Sequence, residues 1–140
     1  MSHTCKSLVI HCMDFRLVDQ IRDWMTKEKL MKDADVVSLA GAAKNLVDGN
    51  EEAKNVLLKQ IEISSSLHNC LKVYLVHHST CGAYAVSYNF ASLEEEKKKQ
   101  SEDLDKAVEV IKEKFPNLEV SKIWVEMKDG EGKEVEIIEL

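Results

Sequence analysis

Hydrophobic and polar residues follow two different periods along this chain. Short apolar runs containing β-branched residues occupy positions 6–11, 34–39, 71–77 and 118–127, and such runs are typical of strands buried on both faces. Between these runs the apolar residues recur three or four positions apart, which is the spacing of one face of a helix. The pattern therefore predicts strands that alternate with helices.

Three helices are predicted from this spacing and from local end signals. The first covers positions 16–31, where the apolar residues are Leu17, Val18, Ile21, Trp24 and Met25. Asn50 is a typical N-cap residue, and it begins a second helix that runs to about His68. A third helix covers 104–115 and ends before Pro116, the only proline in the chain, because proline cannot continue a helix.

The remaining segments have weaker patterns. Positions 40–43 form a small-residue loop in which the backbone can approach another element closely. Positions 84–93 are predicted to be helical in part, and the charge run at 94–100 is interpreted as a solvated helix face or an exposed connection without a function. A turn at 129–132 precedes a fifth strand at 135–138, which is expected to return antiparallel at the sheet edge.

This alternation predicts an α/β fold in a single domain covering residues 1–140. The expected architecture is a mostly parallel central sheet of four to five strands with helices on both faces and the last strand antiparallel at the edge. In such sheets ligands bind beyond the carboxyl ends of the strands where the strand order reverses, commonly between the first and third strands. A functional site is therefore expected there.

Composition and charge exclude several classes of function. The chain has 140 residues, 44% of them hydrophobic, which suits one globular domain with its own core. A net charge of −6 argues against nucleic acid and anionic membranes as partners, and no apolar run approaches the ~20 residues of a membrane span. The first six residues lack signal-peptide organisation, and the four unclustered cysteines are interpreted as reduced thiols, so a cytoplasmic protein is expected.

His78 and Cys81 are the strongest candidate metal ligands. They stand three residues apart in the glycine turn after the third predicted strand, so that an imidazole nitrogen and a thiolate can reach one ion from a single loop. Cys12 ends the first predicted strand, and the topology brings it to the same edge of the sheet. Two alternatives stay open: Cys12 as a buried core thiol, and His77 in place of His78, although only His78 has the three-residue spacing to Cys81.

Two motifs resemble those of the β-class carbonic anhydrases. Residues 12–16 read Cys-Met-Asp-Phe-Arg, which is similar to that family's Cys-x-Asp-x-Arg. Residues 78–82 read His-Ser-Thr-Cys-Gly, which is similar to its His-x-x-Cys-Gly. The resemblance implies one zinc ion per chain, held by Cys12, His78 and Cys81.

The resemblance also implies a function, which is reversible hydration of carbon dioxide to bicarbonate by a zinc-bound hydroxide. Asp14 and Arg16 are the implied catalytic pair: Asp14 accepts a hydrogen bond from the hydroxide, and Arg16 holds the carboxylate away from the metal. If Arg16 releases it, Asp14 can fill the fourth zinc position instead, and the family shows both arrangements. Known members are dimers or multiples of dimers, so a homodimer or a multiple of one is expected.

Several residues depart from the family pattern. Met13 and Phe15 stand where the family has small residues, and His77 stands where it has glycine. A more apolar pocket is therefore expected, lined by Phe15, Leu39 and Tyr84. This change leaves two alternative functions: hydrolysis of a related small substrate, carbon disulfide or carbonyl sulfide, and a catalytically silent zinc-binding interaction protein.

Most of these residues also have a purely structural interpretation. The alternative interpretation of Asp14 and Arg16 is that they cap the following helix and form a surface ion pair. Cys5 and Cys70 are interpreted as structural thiols. No metal-ligand spacing is found for the histidines His3, His11 and His68. Core packing or subunit contact is expected for the aromatic residues Tyr84, Tyr88 and Phe90.

Overall fold

The computed structural model describes residues 3–140 and contains one five-stranded sheet. Its strands are β1 Ser7–His11, β2 Ala34–Ser38, β3 Lys72–His78, β4 Glu119–Met127 and β5 Val135–Glu139. Its helices are α1 Val18–Lys27, α2 Glu51–Leu67, α3 Gly82–Ala85 and α4 Leu93–Lys114. Two 3-10 turns cover Phe15–Leu17 and Ala42–Leu46.

The strand order is β2-β1-β3-β4-β5, and every pair is parallel except β4 and β5. This arrangement confirms the predicted α/β class, the antiparallel edge strand and the adjacency of the first and third strands. Val9 in the centre of β1 pairs with Val36 on one side and Tyr74 on the other. The carboxyl ends of β1 and β3 therefore meet at the point where the strand order reverses.

Helices cover both faces of the sheet, as predicted. Successive side chains of a strand point to opposite faces, so neighbouring residues of β1 enter different cores. Leu8 and Ile10 pack with α2 and α4, whereas Val9 packs with α1. Burial of these strands on both faces explains their nearly continuous apolar sequence.

The first helix is shorter than its predicted range of 16–31. The predicted helical segment begins with the 3-10 turn at Phe15–Leu17, where the Asp14 side chain accepts a hydrogen bond from the Arg16 amide. Helix α1 follows and ends at Lys27. Lys29 adopts a positive φ of 59°, and the Leu30 amide donates to the Met25 carbonyl at 2.8 Å. This left-handed residue ends the helix although apolar residues continue beyond it.

The charge run at 94–100 and the predicted helix at 104–115 form one continuous helix, α4. Ser92 caps it by accepting from the Glu95 amide, and the helix ends before Pro116. The exposed-connection alternative is therefore wrong. The solvated-face alternative is wrong for Glu96 and Gln100, which are 6% and 1% exposed.

The small-residue loop at 40–43 brings backbone close to another element, as predicted. Gly41 has a φ of 77°, and a Cβ atom there would lie 3.1 Å from the Ala83 Cβ. The loop continues into the 3-10 turn at Ala42–Leu46, which the sequence pattern did not predict. Gly41 thus lets this turn pack tightly against α3.

Candidate metal centre

Cys12, His78 and Cys81 converge at the carboxyl ends of β1 and β3. His78 is the last residue of β3 rather than a loop residue, and Cys12 follows the last residue of β1. Thr80 turns the chain with a φ of 53°, so that Cys81 returns to the site as the N-cap of α3. One ligand atom from each side chain lies within 4.8 Å of the others, and all three side chains are buried.

The donor atoms of this group fit a zinc ion. His78 Nδ1 donates to the Ser79 carbonyl at 2.8 Å, which fixes the ring and turns Nε2 towards the centre. That Nε2 atom is buried and has no hydrogen-bond partner among residues 3–140. A buried nitrogen without a partner costs free energy, and two sulfurs and one imidazole are a typical zinc donor set.

The pKa values of Cys12 and Cys81 shift in opposite directions. A hydrogen bond from the Cys81 thiol lowers the pKa of Cys12 well below its usual value, although burial opposes this shift. The Cys12 thiolate in turn raises the pKa of Cys81, and burial adds to the rise. Burial lowers the pKa of His78, but the adjacent Cys12 outweighs it and the net shift is upward. The metal-free group therefore holds protons that a bound cation replaces.

Asp14 lies beside this group and is held by Arg16. Arg16 Nη2 donates to Asp14 Oδ2 at 2.6 Å, and Arg16 Nε donates to Asp14 Oδ1 at 3.0 Å. Hydrogen bonds from Arg16 lower the pKa of Asp14, so the carboxylate is ionised at neutral pH. Asp14 Oδ2 is 3.9 Å from His78 Nε2. The fork of Arg16 thus holds the carboxylate next to the candidate metal position.

Arg16 also connects three separate segments. Its Nη2 atom donates to the Thr80 carbonyl at 3.0 Å, and Thr80 lies between His78 and Cys81 in the loop that follows β3 (the β3 loop). Its Nη1 atom donates to the Gly130 carbonyl at 3.0 Å in the loop between β4 and β5. With Asp14 included, its guanidinium links the end of β1, the end of β3 and the β4–β5 loop.

The structural interpretation of Asp14 and Arg16 is partly confirmed. Asp14 does cap the 3-10 turn at Phe15–Leu17, because its Oδ1 atom accepts from the Arg16 amide at 3.0 Å. The ion pair is not a surface pair, since the two side chains are only 10% and 22% exposed. The same contacts serve both to begin the turn and to fix the carboxylate.

Glu96 and Gln100 on α4 form hydrogen bonds to the backbone of residues 78–81. Their positions in a charge run did not predict a role at the site. Glu96 Oε1 accepts from the Thr80 amide at 2.8 Å, and Glu96 Oε2 accepts from the Cys81 amide at 3.1 Å. Gln100 Nε2 donates to the His78 carbonyl at 2.9 Å. Glu96 and Gln100 lie four residues apart on the helix face that continues to Leu104, but the surrounding charges give no local signal that sets them apart.

His77 does not belong to the metal group. Adjacent strand residues face opposite sides, so His77 points towards α4 while His78 points to Cys12. The His77 ring lies 5.8 Å from the Tyr84 ring, and burial lowers the pKa of His77 to about 4. Neither of its ring nitrogens has a hydrogen-bond partner among the described residues.

The predicted apolar pocket lining is largely wrong. Phe15 is 85% exposed and Leu39 packs against the α2–α4 core. Tyr84 is fully buried beneath Cys12 and Cys81, and its hydroxyl donates to Asp103 Oδ2 at 2.8 Å. Tyr84 is therefore a core residue, which confirms the core-packing interpretation for this side chain.

Comparisons with known proteins agree with this geometry. Residues 2–138 match a family model described as "Putative carbonic anhydrase". The chain is 38% identical over 120 residues to an uncharacterized protein of Rickettsia bellii, covering 81% of this chain and 72% of the relative. It is 35% identical over 118 residues to an uncharacterized protein of Rickettsia conorii, covering 81% of this chain and 63% of the relative.

The fold is similar to solved carbonic anhydrases. A carbonic anhydrase from Streptococcus mutans superposes with a TM-score of 0.64 at 16% identity, covering 99% of this chain and 82% of that one. A tetrameric β-carbonic anhydrase from Sordaria macrospora gives the same TM-score and coverage at 18% identity. No helix in residues 3–140 is long and apolar enough to cross a membrane. Because the family model spans nearly the whole sequence, the chain belongs to this carbonic anhydrase family.

Proposed function

We propose that this protein catalyses zinc-dependent, reversible hydration of carbon dioxide to bicarbonate. The observation that carries the proposal is the buried Nε2 atom of His78, which has no partner among the described residues and lies with two cysteine sulfurs beside an ionised carboxylate. A buried group with this composition favours metal binding over a redox or packing role. Membership of the carbonic anhydrase family supports the reaction class.

Cys12, His78 and Cys81 would hold one zinc ion per chain. Zinc bound by three protein ligands lowers the pKa of a water molecule in its fourth position towards ~7 and so supplies hydroxide at neutral pH. Glu96 and Gln100 keep two of the ligands in place through backbone hydrogen bonds of 2.8 to 3.1 Å. These bonds support the backbone of the ligands in the metal-free protein.

Asp14 and Arg16 would act beside the metal. The ionised Asp14 carboxylate accepts a hydrogen bond from the attacking nucleophile and orients its lone pair towards carbon dioxide. Arg16 keeps the carboxylate in that position with donors on both Asp14 oxygens. Its remaining contacts at 3.0 Å go to the carbonyl oxygens of Thr80 and Gly130. Arg16 therefore acts as a positioning residue for Asp14.

A substrate comparison tests the proposal. The zinc-loaded protein is mixed in turn with carbon dioxide, carbonyl sulfide and carbon disulfide, and proton release and sulfide are measured. We expect proton release with carbon dioxide as the fastest reaction. Sulfide release without hydration of carbon dioxide would instead assign the site to hydrolysis of the sulfur substrates. Zinc bound by Cys12, His78 and Cys81 with no turnover of any of the three substrates would support the silent zinc-binding alternative.

We further propose that the protein is a homodimer or a multiple of one. Three large apolar side chains near the site are strongly exposed in the single chain: Met13 at 64%, Phe15 at 85% and Val86 at 87%. Large exposed apolar side chains near a binding site are a feature of protein interfaces, and contact with a second chain would cover them. Light scattering should give at least twice the 15.9 kDa mass of the chain, and a monomer at micromolar concentration would contradict the proposal.

The domain and compartment assignments are also proposals. One sheet contacts every long helix, which supports treating residues 1–140 as one domain. All four cysteines are free thiols, which supports a reducing compartment such as the cytoplasm. Limited proteolysis and labelling of the thiols in cells test these two proposals.

A further inference from the structure

A second group of metal-ligating side chains lies at the opposite end of the sheet. Cys5 precedes β1, Asp35 is the second residue of β2, and His68 follows α2. One ligand atom from each lies within 4.8 Å of the others, which is the same bound that describes the first group. The spacing in sequence gave no indication of this site, because each residue comes from a different element.

Asp35 is the centre of this group. Its Oδ2 atom accepts from His68 Nδ1 at 2.7 Å and from Ser64 Oγ at 2.7 Å, and it lies 3.5 Å from Cys5 Sγ. The His68 and Asp35 side chains are 25% and 32% exposed, so the group is reachable from solvent. Thiol, imidazole and carboxylate together are the donors that borderline cations such as zinc prefer.

The distances are close to those of a tetrahedral zinc site. Ligands at ~2.3 Å for sulfur and ~2.0 Å for oxygen place the two atoms about 3.5 Å apart, which is the separation observed between Cys5 Sγ and Asp35 Oδ2. His68 Nδ1 and Asp35 Oδ2 must separate by roughly 0.6 Å from their hydrogen-bonded distance. On binding, the cation replaces the thiol proton of Cys5, and the His68 ring takes the tautomer with its proton on Nε2, which frees Nδ1 to coordinate.

His3 supplies a further donor beside the group. Its ring centroid lies 4.7 Å from that of His68, at an angle of 51°. His3 is exposed, so its ring can turn towards the cation without leaving a buried contact. A water molecule would serve equally well as the fourth ligand.

This group is independent of the Cys12 centre. Cys5 and Cys12 stand seven residues apart on either side of the extended strand β1, so they are separated by about 20 Å at ~3.3 Å per residue. The group also joins three segments that already meet through backbone, where the Cys5 amide donates to the His68 carbonyl at 3.0 Å. A cation here would fasten the chain before β1 to the end of α2 and the start of β2.

We propose that Cys5, Asp35 and His68 bind a second divalent transition-metal ion, of which zinc is the representative, with a structural role. Equilibrium dialysis against a series of free zinc concentrations tests it on the full chain. Wild type should bind two equivalents and Cys5→Ser one. Ser64→Ala is the matched control, because it removes a hydrogen bond to Asp35 but no ligand, and it should retain two.

A single equivalent in wild type would overturn the proposal, and so would equal binding by wild type and Cys5→Ser. A second measurement needs no variant. The rate at which iodoacetamide modifies Cys5 in wild type should fall about tenfold or more between one and two equivalents of zinc, because a metal-bound thiolate is protected. Unchanged reactivity of Cys5 would overturn the proposal even if Cys5→Ser fails to fold.

Discussion

The carboxylate of Glu96 accepts a hydrogen bond at 3.1 Å from the amide of Cys81, a candidate metal ligand. Glu96 Oε1 accepts from the Thr80 amide at 2.8 Å. Gln100 Nε2 donates at 3.1 Å to Glu96 Oε2, the oxygen that also accepts from Cys81. A buried carboxylate with three donors is well compensated for its desolvation. Helix α4 thereby fixes the end of β3, which carries His78, and the following loop, which leads to Cys81.

Replacing Glu96 with alanine should weaken zinc binding. The buried Cys81 amide loses its acceptor, which we expect to cost about 2 to 3 kcal/mol of the free energy of unfolding. Loss of the hydrogen bond that fixes the backbone of Cys81 should lower zinc affinity about 10- to 100-fold. Isothermal titration with zinc and urea unfolding measure the two effects.

Glu94→Ala is the matched control for this prediction. Glu94 lies two residues earlier on α4 and is exposed. The Glu94→Ala variant should keep the zinc affinity and the free energy of unfolding close to those of wild type. Equal zinc affinity in Glu96→Ala and Glu94→Ala would show that the loop keeps its geometry without α4.

The sequence predicted the sheet and the candidate ligands because both rest on local patterns. The apolar runs marked the strands, and the positions of Cys12 and His78 at strand ends followed from a rule about parallel sheets. The left-handed residue Lys29, which ended α1 early, is not predictable from an apolar period, because lysine seldom adopts a positive φ.

Two features depended on contacts that no local pattern contains. Glu96 and Gln100 lie in a run of charges, where solvation is the usual interpretation, and only the approach of the β3 loop to α4 buries them. Cys5, Asp35 and His68 come from three elements whose ends meet through the strand order. Pairing of this kind follows from topology and register rather than from spacing.

Arg16→Ala should abolish hydration while zinc content stays equal to that of wild type. Without the arginine fork, Asp14 is free to take the fourth ligand position, and the rate should fall about 100-fold or more. Metal analysis and stopped-flow hydration measure the two quantities. Arg22→Ala, an exposed arginine on α1, is the control and should behave as wild type. A hydration rate in Arg16→Ala equal to that of wild type would contradict the role assigned to Asp14 and Arg16.

Gly132→Ala should disturb the same centre from a distance. Gly132 has a φ of 82°, and a Cβ atom there would overlap the Arg16 carbonyl oxygen. Gly49→Ala has a similar φ of 86° but meets no atom within 4 Å, so it isolates the backbone cost of roughly 1 kcal/mol.

Gly132→Ala should cost about 1 to 3 kcal/mol more than Gly49→Ala, because the Arg16 segment must move. Urea unfolding compares the two variants. The hydration rate should fall only in Gly132→Ala. Equal stabilities would mean that the β4–β5 loop moves aside without shifting Arg16.

His77 and His78 should respond oppositely to substitution. His77→Phe removes two ring nitrogens that lack partners among the described residues and keeps a ring beside Tyr84, so stability should stay within about 1 kcal/mol and zinc content should be unchanged. His78→Ala should lose the metal. Zinc content by elemental analysis distinguishes them, and loss of zinc from His77→Phe alone would exchange the two assignments.

The most direct test of the proposed function is the rate of carbon dioxide hydration per bound zinc, measured by stopped flow with the zinc content determined on the same sample. The account predicts that wild type with zinc on Cys12, His78 and Cys81 reaches a kcat/KM in the common enzymatic range of about 10⁴ to 10⁸ M⁻¹s⁻¹. Cys81→Ser, which removes one ligand, should fall to the buffer rate. A wild-type protein that carries this zinc and hydrates carbon dioxide no faster than buffer would contradict the account.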